Sequence, residues 1–142
     1  MKDEVSQLEQ DIVEFHEKFA LTYDGQPRKL PLDLRDFRVG FLNEEFREYI
    51  RASATGTLEQ CLDALVDLVY VAIGTSYLHG FPFSEAWDRV HAANMQKVKG
   101  DAKSSTRDSD HDVVKPEGWT APSLSDLVHV LSGYGVVEVI DE

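Results

Sequence analysis

Between Glu4 and about Leu21, the apolar residues Val5, Leu8, Ile12, Phe15 and Phe19 recur at spacings of three and four. At roughly 100° per residue they share one side of a helix, which predicts an amphipathic first helix. One glycine and two prolines in "YDGQPRKLP" end the pattern. It resumes from Leu32 to about Ala54, with Pro31 and Asp33 as start signals and Gly56 just past the end. Thr57 is placed to cap a third helix that runs to about His79, where Gly80 is the stop signal. This helix, "LEQCLDALVDLVYVAIGTSYLHG", is apolar on most sides, as suits the centre of a bundle. Its polar strip holds Gln60, Asp63 and Asp67, together with Gly74, whose missing side chain lets another group come close. "PFSEAWDRVHAANMQKV" reads as a fourth helix capped by Ser84.

After Lys99 the large apolar residues stop, and "GDAKSSTRDSDHD" reads as a mobile loop. Ser123 to about Ser132 forms a short helix in this reading, and "YGVVEVI" a short strand or extended arm. The expected fold is all-α, a bundle of four to five helices in one domain over residues 1–142. Its core spans about 4–99, its mobile loop about 100–112 and its C-terminal arm 113–142.

The second helix breaks the usual separation of apolar and charged sides. In "FLNEEFREYIRA", Glu45 and Glu48 project from the arc that holds Leu34, Phe37, Phe41, Leu42 and Tyr49, and Glu44 sits at its edge. The ordinary reading of E-E-x-x-E is a solvated surface with Arg47 and Arg51 as ion-pair partners. Carboxylates inside an apolar stripe need protons, partners or cations instead. Asp63 and Asp67, four residues apart, stack on one side of the third helix and can face the glutamates across an antiparallel helix pair. Carboxylates converging there favour magnesium, or manganese in its place, over zinc.

Charge and cysteine content narrow the function. With 14 Lys and Arg against 26 Asp and Glu, the net charge is −12, which argues against a nucleic-acid backbone or an anionic membrane as partner. A single cysteine, Cys61, leaves no intramolecular disulfide and no cysteine zinc site. "MKDEVSQLEQ" lacks the basic and apolar segments of a signal peptide, and no apolar stretch approaches membrane-spanning length. A cytoplasmic location is expected.

"LNEEFRE", then "DALVDLVYVAIGT", "VHAANMQKV" and a late "KPEGW" resemble the MazG-like branch of the all-α nucleoside triphosphate pyrophosphohydrolases, which includes phosphoribosyl-ATP pyrophosphohydrolases and dimeric dUTPases. The resemblance covers roughly Leu32 to Pro122. It implies a bundle that assembles as a homodimer or homotetramer, binds magnesium through E-E-x-x-E and E-x-x-D carboxylates, and cleaves between the α and β phosphates. Glu44, Glu45 and Glu48 match the first half of that set. The second half departs: with Asp63 as the family aspartate, Gln60 stands where glutamate is expected, and with Asp67, Ala64 does.

The resemblance therefore implies metal ligands Glu44, Glu45, Glu48, Asp63 and Asp67, with Glu44 or Glu48 as the catalytic group that takes a proton from the attacking water. Through it, Asn94 and Lys97 become candidates to hold the sugar or phosphates. Lys115 and Trp119 can close over the nucleotide, the lysine neutralising phosphate and the indole covering the base. The expected reaction turns a nucleoside triphosphate into the monophosphate and pyrophosphate. The rival readings are hydrolysis of phosphoribosyl-ATP and a helical module that binds a nucleotide or protein without hydrolysis, the latter suggested by the missing glutamate.

Overall fold

The computed structural model describes residues 2–132 and 135–137. Four helices dominate: α1 (Lys2–Lys18), α2 (Leu32–Thr55), α3 (Leu58–His79) and α4 (Phe83–Asn94). Two antiparallel ribbons follow, β1 (Val98–Lys99) with β2 (Val113–Val114) and β3 (Val130–Ser132) with β4 (Gly135–Val137). A short 3-10 helix, Ser125–Val128, lies between them. The fold is an all-α bundle, as the periodicity predicts.

Local chemistry sets the helix ends. α1 stops at Lys18, sooner than its apolar pattern, because Ala20 turns left-handed (φ 55°) and the Leu21 N–H bonds back to the His16 carbonyl at 2.9 Å. Only Gly56 and Thr57 separate α2 from α3, so the two helices return antiparallel. Thr57 and Gln60 form a reciprocal cap at the start of α3, and Gly80 ends it in the left-handed region (φ 75°). Ser84 does not cap α4. That helix starts at Phe83, with Pro82, two residues before Ser84, in the cap position, and the Ser84 hydroxyl donates to the Glu9 carboxylate on α1.

α3 is the hub: α2 packs along one side, while α1 and α4 pack against it and each other. Ile12, Ala64, Val71, Ile73 and Leu78 form the buried core. One side of α3 stays open, with Leu58, Leu62, Leu65, Val66 and Val69 exposed and Leu62 at 65%. The expectation about membrane-spanning length needs correcting here. At 22 residues and a mean hydropathy of 1.5, α3 is long and apolar enough by length and composition alone.

α4 ends at Asn94 rather than near Val98, because Val98 and Lys99 pair with Val114 and Val113. The segment expected as a mobile loop, 100–112, is described as a closed turn whose polar residues serve one another. Asp101 accepts from the Lys103 and Ser104 N–H groups, Asp110 from the Ala102 N–H, and buried Ser105 donates to Asp112. In the C-terminal arm, the predicted helix shrinks to the 3-10 turn and gives way to β3. Gln26 favours that change by bonding the Leu131 backbone from both ends of its amide. Of the predicted strand "YGVVEVI", Gly135–Val137 forms β4, while Tyr134 and 138–140 lie outside the described residues.

Candidate active site

One turn of α2 brings Glu44, Glu45 and Glu48 together, with one carboxylate oxygen from each within 4.8 Å of the others. Glu44 is exposed, Glu48 half-buried, and Glu45 only 7% exposed. Among the described residues no ion pair reaches any of the three, so Arg47 and Arg51 do not neutralise them. The Glu45 Oε2 atom is buried without a hydrogen-bond partner. An orphaned carboxylate oxygen among like charges is costly unless a proton or cation joins it. These oxygen donors fit magnesium or manganese.

Across the helix pair, Glu48 and Asp63 line one cleft of about 340 Å³, with Arg51 and Gln60 on its walls. Asp67 feels Glu48 and Asp63, and its own charge acts on Glu45. The antiparallel pairing thus brings both aspartates to the glutamate side. Gln60, standing at a family glutamate position in one alignment, is occupied elsewhere: its Oε1 accepts from the Thr57 N–H at 2.9 Å. Ala64, the alternative position, is buried in the α2–α3 core.

Burial, reinforced by Glu48 and Asp67, pushes the Glu45 carboxyl above its ordinary range, and burial with Asp63 and Glu48 does the same for Asp67. A carboxyl with a raised folded pKa stabilises most below its unfolded pKa, and that contribution is lost as pH rises through the folded value. Without divalent cations, Glu45 and Asp67 should therefore pull the melting temperature down as pH climbs above the ordinary carboxylate range, against the rise that buried His16 contributes through its own range. Glu45→Gln should flatten the fall, and thermal melts in a chelator measure both. An unchanged pH slope in the variant would reject Glu45 as its source. Asp101, Asp112 and Asp126, held low by hydrogen bonds and by arginines, act in the opposite sense only at lower pH.

Sequence reasoning missed the groups beneath this site. Arg38, two turns before Glu45 on the same side of α2, is 8% exposed. Its guanidinium donates to the Val71 carbonyl at 2.9 Å and to Thr75 Oγ1 at 3.0 Å, both neutral acceptors. His16, 3% exposed, meets the Leu21 carbonyl through Nδ1 at 2.9 Å and lies 4.5 Å from the Tyr77 ring. Burial and the Arg38 charge hold its imidazole below the ordinary value, against the Leu21 bond, so it is neutral near pH 7. Gly74 makes the room, as its place on the polar strip foretells. A Cβ there would stand 2.8 Å from Arg38 Nη2 and 3.3 Å from His16 Nε2.

The other predicted residues gather at the far end of α4. The register of β1 and β2 sets Val98 beside Val114, which carries Lys97 and Lys115 to the same end of the ribbon. Trp119 lies between them, its ring centroid 5.2 Å from Lys97 Nζ and 5.0 Å from Lys115 Nζ. Its indole N–H donates to the Ala93 carbonyl at 2.7 Å, and a turn through Gly118 (φ 79°) delivers it there. Asn94 is the exposed last residue of α4, its carbonyl bonded to the Lys97 N–H. Among the described residues no hydrogen bond or ion pair joins this cationic cluster to the glutamates, and α4 packs mainly on α1 and α3.

A family model described as "Phosphoribosyl-ATP pyrophosphohydrolase" matches residues 12–94, which span the end of α1 and all of α2, α3 and α4. No curated protein matches the chain.

Proposed function

This chain belongs to the phosphoribosyl-ATP pyrophosphohydrolase family, a branch of the MazG-like, all-α nucleoside triphosphate pyrophosphohydrolases, and on that premise we propose that it hydrolyses a nucleoside triphosphate between the α and β phosphates. Membership makes it a hydrolase of acid anhydrides acting on a nucleotide. The buried, partnerless Glu45 Oε2 among three clustered carboxylates carries the finer reading.

Glu44, Glu45 and Glu48, with Asp67 and Asp63 opposite, would hold a divalent cation, magnesium or manganese. Bound there, the cation supplies positive charge and Lewis acidity for the phosphates. Glu48, facing the cleft, or Glu44 beside it takes the proton as a water oxygen bonds to the α phosphorus. The bond from that phosphorus to the bridging oxygen breaks, and pyrophosphate leaves with the electron pair. Lys97 and Lys115 bind phosphate, Asn94 holds the sugar or a phosphate, and Trp119 covers the base.

The exposed α3 strip needs a cover, and a second copy of the chain suits it, because Leu58, Leu62, Leu65, Val66 and Val69 form one apolar stripe that water disfavours. The family model's own description favours a second substrate reading, phosphoribosyl-ATP. One experiment addresses both points. Pyrophosphate release is measured over canonical and modified nucleoside triphosphates and phosphoribosyl-ATP, on protein whose mass is read by light scattering. Release from a triphosphate, at a mass of at least two 16.0 kDa chains, is the expected result. Turnover of phosphoribosyl-ATP alone would replace the substrate, and a 16.0 kDa species would remove the second copy.

A further inference from the structure

We propose that a second cavity, beside the first half of α2, binds a small amphipathic anion: an apolar body carrying one carboxylate or phosphate. It shares no lining residue with the cleft of Glu48 and Asp63. The cavity beside Val39 measures about 500 Å³, within the range of small-molecule sites.

Its charge runs against that of the chain. Among the described residues Arg28, Lys29 and Arg35 line it and no carboxylate does, although acidic residues outnumber basic ones by 26 to 14 in the chain. Arg28 is held in place: its Nε–H donates to the Leu78 carbonyl at 3.0 Å and its guanidinium covers the Tyr23 ring at 3.6 Å. Among the described residues its Nη groups have no hydrogen-bond partner and Lys29 has no ion pair. Among the described residues Arg35 pairs with its neighbour Asp36 alone, at 2.9 Å and largely in solvent, a contact that a ligand can displace at small cost.

Leu30, Val39, Leu42 and Val128 make the rest of the wall largely apolar. His79 adds a flat aromatic surface, stacked on Phe81 with 3° between the planes and fixed by its Nδ1 contact to the Arg28 carbonyl at 2.7 Å. A neutral hydrophobe would waste the cations, and a bare inorganic ion would leave the apolar wall wet. An amphipathic anion satisfies both.

The wall at Val128 comes from chain beyond the family match, which ends at residue 94. That segment is strapped down twice. Arg89 donates to both Asp126 oxygens, at 2.6 and 2.9 Å, and Gln26 holds the Leu131 backbone. One wall of the cavity therefore comes from this chain's own extension and the rest from residues within the match, and the proposal does not depend on the catalytic reading.

Calorimetry on the full chain tests it, with octanoate and phenyl phosphate as probes and octanamide and phenol as neutral counterparts. The expected result is one equivalent per chain for at least one anion, with its neutral counterpart weaker by about tenfold or more, the loss of a charge-assisted contact. The tighter anion identifies the head group. Lys29→Glu, at an exposed position, should weaken the anion by at least about tenfold. Val128→Glu, outside the helical core, should do the same, while Lys115→Ala should leave it unchanged. No anion binding, equal binding of the neutral probes, or loss in Lys115→Ala instead of Lys29→Glu would overturn the proposal.

Discussion

Glu48→Ala is expected to lower cation-dependent pyrophosphate release by about 10²- to 10⁴-fold, the usual contribution of a positioned acid or base. Among the three clustered glutamates, Glu48 alone lines the cleft that also holds Asp63, so it both shares the cation's charge and faces the space left for substrate. The loss should not come from unfolding. Glu48 raises the pKa of both Glu45 and Asp67, so removing it relieves repulsion, and the melting temperature without cation should hold or rise. Glu48→Gln then separates the two duties of this side chain. Its amide oxygen can still ligate but cannot take a proton, so retained cation-dependent stabilisation with lost turnover marks a proton acceptor. Loss of both marks a ligand. Wild-type turnover in Glu48→Ala would move the catalytic duty to Glu44 or sink the carboxylate site altogether.

What could be read from sequence was local in origin. The Thr57 and Gly80 signals use neighbouring backbone groups, so the ends of α3 fall where expected. The glutamate cluster was legible because E-E-x-x-E is itself one helical turn. The end of α4 was not. Val98 looks helical beside "ANMQK", but its strand partner Val114 lies sixteen residues away, and only that pairing brings Lys115 and Trp119 to Lys97. Arg38 was passed over because exposed arginine is the ordinary case, and nothing near it in sequence shows that Val71 and Thr75 will accept its bonds. The aspartate ambiguity had a physical answer in part. Gln60 looks like a damaged ligand in an alignment, yet it is the residue that closes the cap at the start of α3.

Gly74→Leu should cost about 3 kcal/mol, the upper part of the range for overpacking a filled interior. For a chain of this size that corresponds to a fall of about 10 °C in melting temperature. Helix propensity points the other way, since leucine is favoured over glycine inside a helix by up to about 1 kcal/mol. Sterics decide the sign. A Cβ at residue 74 stands 2.8 Å from Arg38 Nη2, and that guanidinium cannot swing aside freely because it is buried and bonded to Val71 and Thr75. Displacing it strands a charge that no carboxylate pairs among the described residues. Gly40 on α2 is the matched control: a Cβ there meets nothing within 4 Å, so Gly40→Ala should stabilise by up to about 1 kcal/mol. Arg38→Ala supplies the decisive comparison through a double-mutant cycle. If the clash is with the guanidinium, Gly74→Leu should cost much less in the Arg38→Ala background than in the natural chain. Strict additivity in chemical denaturation would mean that the leucine is rejected by the His16 side of the cavity instead.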